Sequence, residues 1–321
     1  MKLFNWKYLI GASCCFAFIA TLGFIKTKPD IASETEWSIG IYEGKTIGKM
    51  KNAPGVHNPV MRASDVSDVR AMFVADPFLM EKDSIWYLFF EVFNEYRGKG
   101  EIGMAKSADG KKWEYEKIVL REPFHMSYPY MFEYKKQIYM IPESAEGNQL
   151  RLYRATSFPD QWKFEKTLLT GSFGDHEIFQ YNNRWWLFAG AAPSKHNVLK
   201  LFYADSLTGP WVEHPKSPIV KNNSEIARPG GRFVFEDGKM YRLAQDCKRA
   251  YGNALQAFEI IRLTPEDYVE KKADFDPVLK AGKEHWNRHG MHHMDAHRLS
   301  NGDWFASVDG YKKTMVVKIE Y

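Results

Sequence analysis

From about residue 37 to the C-terminus, short apolar runs alternate with polar positions. Turn pairs such as Asp109-Gly110, Lys135-Lys136, Asn182-Asn183 and Asn301-Gly302 break them up at intervals of about 8 to 12 residues. Side chains of period two belong to pleated strands, and stretches with the 3.6-residue helical period are scarce, so the pattern predicts an all-β protein.

The strands repeat. Counted from Asp76, Tyr128, Asp175, Gly230 and His293, the eleventh residue onward is Tyr87, Tyr139, Trp186, Tyr241 and Trp304, aromatic every time. The starts lie 52, 47, 55 and 63 residues apart. That spacing suits four-stranded blades with outer loops of varying length. A second mark recurs farther along each repeat: a turn, then an aromatic. It is seen in Ser107–Gly110 before Trp113, Ser157–Pro159 before Trp162, Ser206–Pro210 before Trp211 and Thr264–Asp267 before Tyr268. The fifth repeat reaches Tyr321 with only about three strands, so Trp37–Tyr42 is expected to supply the missing one and close the ring. The expected fold is a five-bladed β-propeller over residues 37–321.

Ahead of it, Tyr8–Ile25 carries no charge, long enough as a helix (about 27 Å) to span a hydrocarbon core. A single transmembrane helix is the expectation, within an anchor or uncleaved signal over residues 1–28 and followed by a linker over 29–36. Lys2 and Lys7 precede the run and Lys26 and Lys28 follow it, which places the propeller outside the cytoplasm by the positive-inside rule, though only by a small margin. A cleaved signal peptide is the rival, leaving a secreted domain. Gly11-Ala12-Ser13-Cys14 lacks the apolar stretch that precedes a lipoprotein cysteine. Cys247 is the one cysteine beyond this region, so no internal disulfide is expected there.

Composition is globular, 45% hydrophobic and 26% charged over 321 residues, and the net charge of +4 is too small and dispersed for a phosphate-binding stripe. No nucleic-acid partner is expected. Aromatic residues, at 15%, suit both β packing and sugar stacking.

In a blade, the start of the innermost strand and the end of the second emerge at one mouth of the central channel. Starts are Asp76, Tyr128, Asp175 with Glu177, Arg228 just before Gly230, and His293 with Asp295 and His297; the returns are Glu91, Glu143, Gly190, Gln245 and Val308. Acids directly after apolar runs are costly unless partnered or functional. Two carboxylates in an aromatic channel meet the needs of glycoside hydrolysis, one protonating the leaving oxygen and one ionised. Asp76 is read as the base and Asp175 or Glu177 as the acid, with Glu143 also in the catalytic group. Glu91, Tyr128, Tyr130, Arg228, Gln245, Asp246, His293 and Asp295 are read as substrate-binding, and Trp86, Trp286 and Tyr130 as stacking surfaces. The alternative is that the aspartates cap turns or bond backbone amides between blades. No cofactor is expected; a metal on His293, Asp295 and His297 is the competing reading of the histidine-rich stretch His285–His297, whose spacing matches no standard zinc motif.

Ala75-Asp76-Pro77 followed by Trp86-Tyr87-Leu88-Phe89-Phe90 resembles the first blade of family 43 glycosidases. Ser127-Tyr128-Pro129-Tyr130, Tyr139–Ser144, Leu152–Ala155, Arg184–Phe188, Tyr241–Cys247 and His292–Asp295 together resemble the glycosidase-like N-terminal domain of plant glucosamine inositol phosphorylceramide transferases and their bacterial relatives. The resemblance implies a carbohydrate-active propeller with a glycan or glycolipid partner and Asp76 at the glycosidase base position. Two positions depart from family 43. Tyr128 stands where a second aspartate belongs, and Asp175-His176-Glu177 replaces a Glu-Gly-Pro acid. The named transferase activity belongs to a separate C-terminal domain that nothing here resembles. A non-catalytic glycan-binding subunit of a polysaccharide or glycolipid assembly system is the alternative expectation.

Overall fold

The structure, a computed structural model, describes residues 30–318. The compact unit Glu34–Thr314 is a ring of five antiparallel sheets. Blade I comprises Ala71–Lys82, Ile85–Asn94, Lys99–Ser107 and Glu114–Leu120. Blade II comprises Ser127–Tyr134, Gln137–Glu143, Gln149–Ser157 and Gln161–Thr170, and blade III Phe173–Tyr181, Arg184–Ala191, Val198–Ala204 and Val212–Glu213. In blade IV the inner strand is split into Arg228–Pro229 and Val234–Glu236, followed by Lys239–Asp246, Ala254–Leu263 and Tyr268–Lys272.

Blade V closes the ring, in a way that corrects the expectation. The C-terminal part of the chain gives it two strands, Met294–Arg298 and Trp304–Lys318, rather than three; Asp30–Gly44 is the third and Lys51–Asn52 the fourth. The stretch read as a linker from residue 30 onward is therefore strand. No helix among the described residues is long and apolar enough to cross a membrane. The expected anchor at residues 8–25 lies outside the described residues.

The repeat frame has a packing cause. The recurring aromatics fall on the second strand of every blade, the third residue of that strand in blades I to IV and the first in blade V. Trp186 is buried in a cluster reaching Phe233 and Ile260 of the next blade, and Trp304 shares a cluster with Tyr241 while donating its indole N–H to Glu236 of blade IV at 2.6 Å. Trp186, Trp304 and, through Phe158 of blade II, Tyr87 wedge one sheet against its neighbour, an apolar face that a lone blade would leave wet. Inner hairpins turn at Asp83-Ser84, Lys135-Lys136, Asn182-Asn183 and Asp237-Gly238, all with positive φ at both residues, the backbone of a two-residue type I′ turn.

Midway down the channel the ring centroids of Phe78, Tyr128 and His293 make mutual edge contacts at 4.7 to 5.2 Å. Tyr128 Oη donates to the Gly231 carbonyl at 2.8 Å and accepts the Gly231 N–H at 2.6 Å, crossing the channel from blade II to blade IV. Gly231 has φ +142, and a Cβ there would stand 1.9 Å from the Met294 carbonyl oxygen, so only glycine lets blades IV and V approach this closely. These side chains plug the channel and leave a separate opening at each end.

Candidate functional site

Where the inner strands of blades I to III begin, their pairing slips, between Ala75 and Phe78, Ser127 and Tyr130, and Phe173 and His176. A slip of this kind bends the strand and re-aims a side chain. At the first two, Asp76 and Tyr128 take left-handed backbone, φ 53 and 48. Asp76 is 3% exposed, and its Oδ1 has no hydrogen-bond partner. Strained backbone carrying a buried, half-unsatisfied carboxyl is the kind of arrangement kept at functional sites.

Around Asp76 lies a cavity of about 200 Å³ lined by Trp37, Phe73, Glu91, Phe93, His125, Glu143, Arg228, Tyr251 and His292. Arg228 organises one side. Its Nε and Nη2 grip Asp175 at 2.6 and 3.0 Å, Nη2 also donates to Glu143 at 3.0 Å, Nη1 donates to His196 Nδ1 at 3.0 Å, and the guanidinium lies 5.4 Å from the Tyr251 ring. Gln245 donates to the same Asp175 carboxylate and to the Pro229 carbonyl. Burial alone would raise the Asp175 pKa, but Arg228, with the hydrogen bonds it and Glu143 supply, holds it at about 2. Glu143 moves the other way: burial pushes it well above the usual carboxylate range despite Arg228, and the Asp175 charge adds to the rise. The pair is thus polarised, one carboxyl ionised and one holding a proton.

His292 organises the other side. Its Nδ1 lies 2.7 Å from Asp309 Oδ1, which also accepts the His292 backbone N–H, while Asp309 Oδ2 accepts the Asp76 N–H at 3.0 Å. With Nδ1 committed to Asp309, Nε2 faces inward, 3.3 Å from Tyr251 Oη and 3.6 Å from Asp76 Oδ1. A carboxylate bonded to one imidazole nitrogen fixes the tautomer and aims the other. Trp37 packs on this imidazole at 4.2 Å. His125 accepts the Gly100 N–H on Nδ1 at 2.9 Å and turns Nε2 toward Glu91 Oε1, 3.5 Å away. Burial raises both Asp76 and Glu91 well above the carboxylate range, and nearby Asp175 pushes the same way. Asp76, His292 and Asp309 also bring three ligand atoms within 4.8 Å of one another, so this corner could hold a cation as well as move a proton.

Asp76, Glu91, Glu143 and Arg228 all line this mouth, as the repeat register predicts, and Asp175 sits directly behind Arg228. Other readings need correction. Asp175, both oxygens taken by Arg228 and Gln245 and its pKa lowered by Arg228, is poorly placed to be the acid. Glu177 is fully buried one pleat deeper, its Oε1 accepting the Leu243 N–H at 3.0 Å between blades III and IV, and it does not line the cavity. Tyr128 and His293 belong to the plug, His293 Nε2 lying 2.9 Å from the Pro77 carbonyl oxygen. Tyr130 and Asp295 lie beyond the plug, where Arg232 stacks over Tyr130 at 4.9 Å and bonds Asp295. Asp295 also takes the Leu79 N–H and His297, so His293, Asp295 and His297 converge on no common point for a metal. Gln245 supports Asp175, and Asp246 shapes the loop carrying Tyr251 through Lys248 N and Asn253 Nδ2, both at 3.0 Å. Trp86 lies at the opposite opening, and Trp286 is buried in a separate groove. Sequence reasoning missed Asp309, Tyr251, His125 and Trp37 as site residues. Asp309 follows the apolar run Trp304–Val308 just as Glu91 follows Trp86–Phe90, displaced by one residue.

A five-bladed ring with carboxylates gathered at an aromatic-walled mouth is the architecture of glycosidase-type propellers. Among solved structures, a thermostable family-43 glycoside hydrolase covers 82% of this chain and 96% of its own, with a TM-score of 0.57 and 14% identity. A glycosyl hydrolase from Bacteroides ovatus covers 80% and 91%, with a TM-score of 0.59 and 10% identity. At such identities the likeness is one of fold. Residues 29–311 match the family "Glucosamine inositolphosphorylceramide transferase 1, N-terminal", and the chain belongs to it. Relatives named glucosamine inositolphosphorylceramide transferase 1 are 37% identical, in Oryza sativa subsp. japonica over 299 residues and in Arabidopsis thaliana over 347. These alignments take in 86% and 96% of this chain but 40% and 45% of the relatives, so the chain spans less than half their length.

Proposed function

We propose that the Asp76 mouth receives the terminal sugar of a glycan or glycolipid and processes it by carboxylate acid/base chemistry. The observation that carries this reading is the Asp76 carboxyl itself, buried on strained backbone with one oxygen unpaired in a cavity sized for a single sugar ring. Glu143, kept protonated, is the donor to the departing glycosidic oxygen. Asp76 acts as the base once it has ionised, which its burial delays to a pH above the usual carboxylate range; it then takes a proton from the incoming water, which adds to the anomeric carbon as the C–O bond breaks. Burial and the Asp175 charge keep the proton on Glu143 against the pull of Arg228, and His292, held by Asp309, supports the Asp76 side. Trp37 and Tyr251 offer apolar faces to the ring. The names of the relatives make glucosamine-bearing inositol phospholipids the first substrates to try. Residues 8–25, as a membrane anchor, would hold the propeller beside such lipids outside the cytoplasm.

A second reading, binding without turnover, is favoured by Arg228, whose ion pair with Asp175 and hydrogen bond to Glu143 fill one side of the mouth. One experiment separates the two: the purified chain is offered a panel of glycans and glycolipids, with binding and product formation measured together. The catalytic reading expects product from wild type, and a fall of about 100- to 10,000-fold in kcat for Asp76→Asn and Glu143→Gln with binding retained. Ligands that bind wild type and are never turned over would establish the second reading instead.

A further inference from the structure

The opening at the far end of the channel is the larger one, a cavity of about 570 Å³ lined by Trp86, Phe132, Glu81, Arg232, His297 and Arg298 among others. Its centre is built rather than incidental. Asp295, fully buried, takes the Leu79 N–H at 2.6 Å, His297 Nε2 at 2.9 Å and Arg232 Nε, while Arg232 Nη2 donates to the Met131 carbonyl at 2.7 Å. The guanidinium is further clamped against the Tyr130 ring at 4.9 Å. All this fixes Arg232 and His297 while leaving Arg232 Nη1 and His297 Nδ1 with no protein hydrogen bond among the described residues. A rigid donor and a rigid acceptor therefore stand side by side on the cavity wall.

The charge at this end is nearly balanced. Asp295 cancels Arg232, and Glu133 faces Lys82 at 3.7 Å. Arg298 lies 3.9 Å from Glu236, which leaves Glu81 as the one lining charge outside a pair, so an anion finds no excess of positive charge and a cation at most one carboxylate. Half-buried Trp86 and Phe132 supply apolar ring faces, and the volume falls within the range of small-molecule sites. Ring faces, paired donors and acceptors, and almost no net charge are the chemistry that recognises a neutral polyol. We infer that this far opening is a second saccharide-binding site, taking a short neutral oligosaccharide and carrying out no reaction on it. It is separate from the Asp76 mouth because the Phe78–Tyr128–His293 plug lies between them.

The full chain is titrated calorimetrically with neutral gluco-, manno- and galacto-configured trisaccharides up to ~10 mM, and separately with inorganic phosphate. At least one trisaccharide is expected to bind wild type and Asp76→Asn alike, about 10-fold more weakly to Trp86→Ala and about 5-fold more weakly to Glu81→Gln. Glu81 is exposed and outside any ion pair among the described residues, so its variant reports on the site even if the tryptophan variant fails to fold. Three results overturn the inference: no trisaccharide bound, binding indifferent to both far-end substitutions, or binding lost in Asp76→Asn. Phosphate binding in place of sugar overturns the ligand class. Because loss of turnover in Asp76→Asn leaves this binding intact, the site and the proposed chemistry stand or fall separately.

Discussion

Asp76 carries a left-handed backbone, a nearly complete loss of water and an unpaired oxygen at the same position, and these set its pH behaviour. Its folded-state pKa is raised above the unfolded value of about 4, so the stability it contributes is full below that value and is lost as pH rises through the folded pKa. Asn tolerates the same backbone and has no charge to bury. The Asp76→Asn variant is therefore expected to match wild type near pH 4 and to become progressively more stable than it toward neutral pH, as denaturant midpoints would reveal. Asp175 behaves in the opposite sense. Held at about 2, it stabilises the fold above about pH 4 and loses that contribution as pH falls toward 2. Asp175→Asn, which leaves the buried Arg228 guanidinium without its bidentate partner, should cost about 3–5 kcal/mol in urea unfolding at pH 7. The mouth acids were readable because the repeat register stacks Asp76, Glu91 and Glu143 at one level. Glu177 and Asp295 misled for one reason: two residues along a strand keep the face but sink about 7 Å down the channel. That is enough to carry Glu177 between two blades and Asp295 past the plug.

Strand by strand, the aromatic frame placed the second strand of all five blades, because a wedge residue has to recur wherever one sheet leans on the next. Turn chemistry was less legible. Asn182-Asn183 and Asp237-Gly238 suit the positive φ of their hairpins, whereas Lys135 and Lys136 adopt φ 49 and 61 with no such preference. Replacing that pair by Asn-Gly is expected to stabilise the protein by about 1 kcal/mol, visible as a raised thermal midpoint. Asp309 escaped notice at this scale because the blade V return reaches the mouth one residue later than the others. Val308 pairs with Met294 and the carboxylate follows it.

At the level of the whole molecule, five sheets were foreseeable and the division of labour at the seam was not, since Lys51–Asn52 is too short to announce itself by alternation. Removing residues 1–33 is expected to leave cooperative unfolding intact. Removing residues 1–52 strips two strands from blade V, and circular dichroism melting should then broaden or vanish. The same seam governs synthesis. Asp30–Gly44 can meet Lys51–Asn52 at once, but its other edge must wait until the far-downstream strand Trp304–Lys318 has been translated. Chaperones that shield exposed strand edges would be needed most during that interval, and a stalled or truncated message would yield a product unable to complete itself.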